Sequence, residues 1–262
     1  MKSEKRAEGV SMGKWVFIGI ITSLPFLLGA GWSGCDPCDT GHCNLVPQET
    51  RAHKILAVGD SFTAYYSQKV SGCCQSYTDY ASIEIDEFIR NEALGGTRLS
   101  GGPSPTIPQQ YANTMADNGP YDVIILSGGG NDLMKECAVT SQPCSIACAD
   151  KKEEINDELD ALITRMVSDG SHVVMVGGVL MSNFSLSSTN SWYNECWLLD
   201  PASAQAYADS HPNVSYVNAR DLTNPNNPAD YAVDGVHPSI SLTRKIGKRV
   251  GSVLEQILDS LE

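Results

Sequence analysis

The sequence predicts an α/β doubly wound sandwich with about five parallel strands in its central sheet. Short and almost unbroken apolar runs recur along the chain at wide intervals, which is typical of strands buried on both faces. Segments between these runs place apolar residues at helical spacing, with acidic residues on the opposite face. Strands that alternate with helices assemble into a parallel sheet covered by helices.

Four apolar runs are the predicted core strands. They are residues 55–58, 123–126, 173–176 and 214–217. Residues 88–94 form a weaker candidate, because Arg90, Asn91 and Glu92 interrupt its apolar pattern. This fifth run completes the predicted sheet.

The predicted helices cover residues 77–85, 151–167, 201–209 and 239–261. The clearest pattern is at 151–167, where Ile155, Leu159 and Leu162 recur at helical spacing. Ser168-Asp169-Gly170 then ends the helix. The segment 239–261 repeats the pattern and is predicted to be a closing helix.

The composition favours one folded domain, which we expect to cover residues 53–262. The chain has 262 residues, 42% of them apolar, which is enough for one sizeable core and too few for two ordinary domains. Its formal net charge of -13 repels the phosphate backbone of nucleic acids. The charge therefore argues against nucleic acid as a partner.

Residues 1–34 resemble an export signal. An apolar run at 15–31 follows four basic residues, as in a signal peptide, and Met12 is an alternative start. The run is short for a helix that spans a membrane. The small residues before Cys35 resemble a bacterial lipobox, in which cleavage precedes a lipidated cysteine. We therefore expect an exported cell-envelope lipoprotein with a lipid anchor on Cys35, with free secretion or an uncleaved anchor as alternatives.

The nine cysteines support export. Residues 35–52 are interpreted as a polar tether, and if Cys35 carries lipid, the other eight cysteines are enough for up to four disulfides. These eight are Cys38, Cys43, Cys73, Cys74, Cys137, Cys144, Cys148 and Cys196. Metal binding by Cys35, Cys38 and Cys43 is the alternative, but their spacing lacks a second pair of ligands. No metal site is therefore predicted.

Polar clusters follow the predicted strands, at the points where ligands bind in an open parallel sheet. The clusters are Gly59-Asp60-Ser61-Phe62, Gly95-Gly96-Thr97, Gly128-Gly129-Gly130-Asn131-Asp132 and Asp234-Gly235-Val236-His237-Pro238. Because the carboxyl ends of parallel strands lie at one edge of a sheet, we expect the four clusters to converge there.

The converging residues supply the parts that acyl transfer requires. A serine hydroxyl needs a base to become a nucleophile, and His237 is the candidate base for Ser61. Asp234 precedes His237 by three residues, so one turn can place its carboxylate against the imidazole and fix the tautomer. The backbone amides of Ser61 and Gly96 and the side-chain amide of Asn131 are candidate oxyanion donors. Glycine at 96 is interpreted as allowing close approach of the backbone to the reacting carbon.

In this order, the four segments resemble the sequence blocks of the GDSL/SGNH hydrolase family over residues 54–258. The nucleophile block is Gly59-Asp60-Ser61. Gly130-Asn131-Asp132 matches the Gly-x-Asn-Asp block, and Asp234-x-x-His237 matches the last block. The glycine block contains Gly95 and Gly96, of which Gly96 is preferred. The resemblance implies a flavodoxin-like three-layer α/β/α fold and ester or thioester hydrolysis without a metal or other cofactor. It also implies the site roles described above.

The predicted function is that of a serine esterase that hydrolyses carboxylic esters, such as short acyl, acetyl-carbohydrate or lipid esters. Substrate choice is expected to come from residues 97–120, 133–150 and 181–199, which are interpreted as loops. The last of these is rich in aromatic and apolar side chains. It is predicted to form an acyl pocket or a sugar-stacking platform, or simply to pack against the sheet. The alternatives are a non-catalytic glycan-binding surface lipoprotein and an acyltransferase that uses the same triad.

Overall fold

Five short parallel strands make up the sheet found in the described part of the chain. The structure is a computed structural model, and it describes residues 52–64, 76–102, 104–137, 148–180, 200–232 and 234–262. The chain divides into two units, Met1–Asp36 and Pro37–Glu262. All of the described residues belong to the second unit.

The strands pair in the order β2-β1-β3-β4-β5. Their bounds are β1 Ile55–Val58, β2 Ile89–Asn91, β3 Val123–Leu126, β4 His172–Val176 and β5 Val214–Val217. Every pairing is parallel, and Ile55 lies opposite both Ile89 and Val123. This order reverses direction at β1 and β3, which is where open α/β sheets bind ligands. The predicted flavodoxin-like sheet of about five parallel strands is confirmed.

Helices follow the strands and connect them. They are α1 Ser61–Ala64, α2 Tyr77–Ile85, α3 Ile107–Asn118, α4 Gly130–Cys137, α5 Ala149–Ser168, α6 Pro201–Ser210 and α7 Ile240–Leu261. Short 3-10 turns lie at Arg220–Leu222 and Pro228–Asp230. Among the described residues, none of the helices has the length and apolarity that crossing a membrane requires.

Alternate residues of each strand face opposite sides of the sheet, and this divides the core into two layers. On one side, Leu56 and Ile124 belong to a buried cluster with residues of α3 and α5, including Met166. On the other side, Ile55 and Ile125 belong to a cluster with residues of α2 and α7. Helices therefore cover both faces, which confirms the predicted three-layer α/β/α fold.

Two segments interpreted as loops contain helices instead. The segment 97–120 contains α3, and 133–150 contains most of α4 and the start of α5. The start of α3 is visible in the sequence, because Thr106 and Gln109 have the spacing of a capping box. The Gln109 side chain accepts a hydrogen bond from the Thr106 amide at 2.9 Å. Ile107 and Tyr111, one turn apart, then bury the helix against the sheet.

Several predictions concern residues outside the described part of the chain. These are the export signal at 1–34, the tether at 35–52 with its lipidated Cys35, the alternative cysteine metal set, and the aromatic segment 181–199. Of the eight cysteines expected to form disulfides, only Cys137 and Cys148 lie within the described ranges. These expectations, like the domain bounds, stay predictions.

Candidate active site

Ser61 begins α1 directly after the carboxyl end of β1. The turn that leads to it is tight, because a Cβ on Gly59 would lie 2.8 Å from Ser127 O, Ser127 Oγ and Thr63 Oγ1. Any side chain at position 59 would therefore displace its neighbours. The carboxylate Oδ1 of Asp60 accepts a hydrogen bond from the Phe62 amide at 3.0 Å, which orders the backbone around Ser61.

Gln110 of α3 holds the same turn by hydrogen bonds to both the amide and the carbonyl oxygen of Gly59. Its Oε1 accepts from the Gly59 amide at 3.0 Å, and its Nε2 donates to Gly59 O at 3.0 Å. The Nε2 also donates to Thr97 Oγ1 at 3.1 Å, and that hydroxyl donates to Gly59 O at 3.0 Å. Gln110 is only 3% exposed, so these bonds are shielded from water.

Asp234 and His237 lie on a loop that returns to Ser61 before α7 begins. The loop is closed by an antiparallel bridge between Tyr231 and Pro238 and by a hydrogen bond from the Ala232 amide to His237 O at 2.9 Å. Asp234 Oδ1 accepts from the His237 amide at 3.0 Å. The three-residue spacing thus places the carboxylate against its own loop and against the imidazole.

A continuous line of hydrogen bonds connects Asp234, His237 and Ser61. His237 Nδ1 lies 2.6 Å from Asp234 Oδ2, and His237 Nε2 lies 2.9 Å from Ser61 Oγ. With Nδ1 protonated, the ring donates to the carboxylate and accepts from the serine hydroxyl. The structure therefore brings together all three residues of the predicted triad, across 176 positions of sequence between Ser61 and His237.

The Asp234 carboxylate is held in its charged form. Partial burial by itself would raise its pKa, but hydrogen bonds from the His237 ring and from the amides of His237 and Val236 outweigh burial. Together they lower the pKa of Asp234 to about 2. An ionised carboxylate at this position favours the tautomer that leaves Nε2 free to accept the serine proton.

Asn131 lies in the first turn of α4 and lines the same cleft as Ser61 and His237. Its Nδ2 donates to Thr97 O at 2.9 Å and lies 3.5 Å from Asp60 Oδ2. One amide hydrogen is therefore used to orient the side chain, and Nδ2 carries a second. This arrangement is compatible with the predicted donor role.

The structure separates the roles of Gly95 and Gly96. The Thr97 amide donates to Leu94 O at 3.4 Å, closing a turn in which Gly96 has a φ of +78°. A Cβ on Gly96 would meet nothing within 4 Å, whereas a Cβ on Gly95 would lie 3.9 Å from Ser61 Cβ. No described side chain crowds position 96, so the positive φ is the structural reason for glycine there, and its close approach to a substrate carbon stays a prediction. Gly96 supplies the left-handed turn, and Gly95 is the glycine beside Ser61.

Asp132 connects the glycine turn to α4. Its two carboxylate oxygens accept from the amides of Leu99 and Ser100 at 3.0 and 3.1 Å. Burial raises the pKa of Asp132, although these amide bonds and the nearby Lys151 oppose the rise. Asp132 thus holds the 97–100 segment beside Asn131.

The sequence did not predict the buried polar side chains that form hydrogen bonds around the turn at Ser61. Gln110 is one, and a chain of hydroxyls from Ser127 through Thr63 to Tyr77 is another. Tyr77 is 1% exposed. Because these residues lie on three helices and on the loop after β3, only a polar residue on the apolar face of a helix, as at Gln110 next to Tyr111, gives a local signal.

Metal ligands are a separate question. In the ranges that the structure describes, no group of three or more His, Cys, Asp or Glu side chains is arranged to hold a metal ion.

Comparison with known proteins agrees with this geometry. Residues 57–241 match the model of the GDSL-like lipase/acylhydrolase family. The chain belongs to this family. This GDSL-like protein is therefore an ester-hydrolysing enzyme, as the sequence predicted. No curated protein sequence matches the chain.

Solved structures similar to this GDSL-like protein share its fold. An inhibitor-bound aryl esterase of M. smegmatis is 16% identical, with a TM-score of 0.58 over 79% of this chain and 100% of its own. Est24, a carbohydrate acetylesterase from Sinorhizobium meliloti, is 17% identical, with a TM-score of 0.54 over 80% and 100%. A family two carbohydrate esterase from Clostridium thermocellum, in complex with cellohexaose, is 16% identical, with a TM-score of 0.53 over 80% and 65%.

Proposed function

We propose that this protein is a serine esterase in which Ser61 is the nucleophile, His237 the general base and acid, and Asp234 the group that orients His237. The observation that carries the proposal is the hydrogen-bonded line from Asp234 Oδ2 through the imidazole to Ser61 Oγ, with separations of 2.6 and 2.9 Å. Both distances lie within the range that proton transfer between a nucleophile and its base requires.

Acylation begins when Ser61 Oγ bonds to the ester carbonyl carbon and its proton passes to His237 Nε2. The tetrahedral intermediate collapses by breaking the bond to the alkoxy oxygen, which takes that proton and leaves as the alcohol. The imidazolium formed on the way is stabilised by the ionised Asp234. The acyl group remains on Ser61.

Deacylation repeats the two steps with water. His237 takes a proton from a water molecule, whose oxygen bonds to the acyl carbon. Collapse of the second tetrahedral intermediate breaks the bond to Ser61 Oγ, which recovers its proton from His237. The carboxylic acid leaves, and the enzyme returns to its starting state.

The oxyanion of both intermediates needs donors fixed before the reaction. Ser61 and Asn131 both line the cleft that contains His237, and the Ser61 amide and Asn131 Nδ2 are two of the proposed donors. The third proposed donor is the backbone amide of Gly96. It follows Gly95, the glycine that lies beside Ser61. The hydrogen bond from Asn131 Nδ2 to Thr97 O and the one from the Phe62 amide to Asp60 Oδ1 hold these groups in position.

The proposed substrates are small carboxylic esters, including acetyl esters of carbohydrates. Two of the similar structures are named as carbohydrate esterases and one as an aryl esterase, which supports small esters as the first class to test.

We also propose that the enzyme is exported and anchored by a lipid on Cys35. Cys35→Ser should then release it from membranes, and unchanged membrane association would contradict the anchor.

Labelling with a fluorophosphonate tests the nucleophile directly. The wild-type protein is expected to be labelled and to hydrolyse p-nitrophenyl acetate, and Ser61→Ala is expected to lose both properties. Ser252→Ala, on the exposed side of α7, is a matched control and should keep both. A wild-type protein that is neither labelled nor active on any ester of a broad panel would refute the proposed function.

A further inference from the structure

A second cavity opens beside Ser61, between the carboxyl ends of β3 and β4. Its volume is about 90 Å³. Among the described residues, its walls come from three strands, β3, β4 and β5, and four helices, α1, α4, α5 and α6. They include Leu126, Leu133, Leu159, Met175 and Ala204, with Tyr216 of β5 alongside.

This cavity adjoins the cleft that contains the triad. Four residues line both spaces, namely Asp60, Phe62, Gly130 and Gly178. Two of them flank Ser61 in the chain, and Gly130 precedes Asn131. A substrate carbonyl placed between Ser61 Oγ and Asn131 Nδ2 therefore has the cavity mouth next to it.

The position of His237 decides which part of an ester the cavity receives. The alkoxy oxygen must lie near His237 Nε2, because it takes its proton there. His237 and Val236 line the triad cleft, but they are not among the described residues that line the cavity. The cavity thus lies on the acyl side of the ester.

The chemistry of the walls fits a hydrocarbon chain. Two of the polar side chains that line the cavity already have partners: Asp60 Oδ1 accepts from the Phe62 amide, and Ser127 Oγ is hydrogen-bonded to Thr63 Oγ1. Leu126, Leu133 and Met175 are at most 5% exposed and belong to one hydrophobic cluster of the core. Transfer of methylene groups into this space is favourable because it removes apolar surface from water.

The volume limits the length of the chain. A cavity of about 150 Å³ holds the six carbons of benzene, or roughly 25 Å³ for each carbon. On this scale, 90 Å³ accommodates roughly four carbons. The carbonyl carbon itself lies outside, at Ser61.

We propose that this cavity is the acyl pocket and that it restricts the enzyme to esters of short acids, with no more than about four carbons beyond the carbonyl. The proposal rests on the proposed serine esterase function. It assigns chain-length selection to the ends of β3 and β4 and to the helices behind them. Long-chain lipid esters are then poor substrates.

Chain-length profiles of two opposite variants test the pocket. Ala204→Leu adds three carbons to the wall and should lower the ratio of butyryl to acetyl kcat/KM at least tenfold, since one methylene changes such ratios by about 10- to 200-fold. Leu159→Ala removes three carbons and should raise the ratio of hexanoyl to butyryl kcat/KM at least tenfold. Ala206→Leu, on the exposed side of the same helix as Ala204, is the control and should leave the wild-type profile unchanged.

The assay uses p-nitrophenyl esters from acetate to octanoate, with fluorophosphonate labelling of every variant. Preference of the wild type for acetyl to pentanoyl esters, with both expected shifts, supports the pocket. A labelled and active wild type that prefers octanoate, or labelled variants that keep the wild-type profile, would overturn the pocket alone. A wild type that is neither labelled nor active would overturn the esterase function, and the pocket with it.

Discussion

Replacing Gln110 by methionine tests whether a residue far from the reacting atoms holds the nucleophile turn in place. Methionine has a similar length but no amide, so Gln110→Met removes the two bonds to Gly59 and the bond to Thr97 Oγ1. Gly59 O keeps the Thr97 hydroxyl and the Leu94 amide as donors. The buried Gly59 amide loses the acceptor Oε1.

Three hydrogen bonds at about 1 kcal/mol each give an expected loss of about 3 kcal/mol in the free energy of unfolding. For a domain of this size, this corresponds to a fall of roughly 6–12 °C in Tm. Because Gly59 lies two residues before Ser61, we also expect kcat to fall more than KM changes. Gln205→Met, which replaces an exposed glutamine bonded only to Asp209 among the described contacts, is the control.

The assay combines thermal unfolding with ester kinetics at several pH values. Gln110→Glu separates positioning from packing, because a protonated carboxyl can donate to Gly59 O whereas a carboxylate cannot. Its kcat relative to the wild type should therefore recover as the pH falls. The reasoning is refuted if Gln110→Met unfolds within about 0.5 kcal/mol of the wild type and keeps its kcat.

Three further changes have distinct expected outcomes. Asn131→Ala removes one oxyanion donor and should lower kcat about 10²- to 10³-fold, so a fully active variant would exclude that role. Gly96→Ala forces an L-residue to a φ of +78° and should cost about 1–2 kcal/mol of stability, whereas Gly95→Ala, whose Cβ would make only an ordinary 3.9 Å contact with Ser61 Cβ, should cost less; equal losses in unfolding assays would contradict the role given to Gly96. Burial raises the pKa of the Asp60 carboxyl in the folded protein above 3.8. Between pH 3.8 and this higher pKa, the unfolded chain has lost the proton that the folded chain still holds, so the free energy of unfolding falls as the pH rises. Asp60→Asn should remove that fall and be more stable than the wild type above this range, and Tm curves of the two proteins that run parallel from pH 3 to 8 would contradict it.

Features that depend on local pattern were predictable from the sequence. The bounds of β1 and β3 agree with the apolar runs, because a strand covered on both faces must be apolar along its length. The bounds of β5 also agree, although this edge strand has two half-buried residues, Ser215 and Tyr216. β2 lies at a sheet edge and is only partly buried, which explains its weaker pattern. The helix at 107–118 has a local capping box, but the glycines and prolines around it are typical of a loop, so the sequence pattern did not predict it.

The residues of the candidate site also differ in how far local sequence pattern predicts them. The spacing of Asp234 and His237 is local, since one loop places the carboxylate against the imidazole, and the sequence alone determined that pair. The order of the sequence blocks, compared with a known family, pointed to Ser61 and Asn131. The predicted parallel sheet placed both at one edge, because each follows the carboxyl end of a predicted strand.

Only the tertiary structure decided how the site is supported and what it can accept. Gln110 contacts Gly59 across 51 positions of sequence, and the cavity beside Ser61 is shaped by three strands and four helices. The separate roles of Gly95 and Gly96 depend on a backbone angle and on a distance to Ser61. The physical reason is that hydrogen bonds and cavity shape depend on distances between distant segments, whereas sequence periodicity reports only which side of one element is buried.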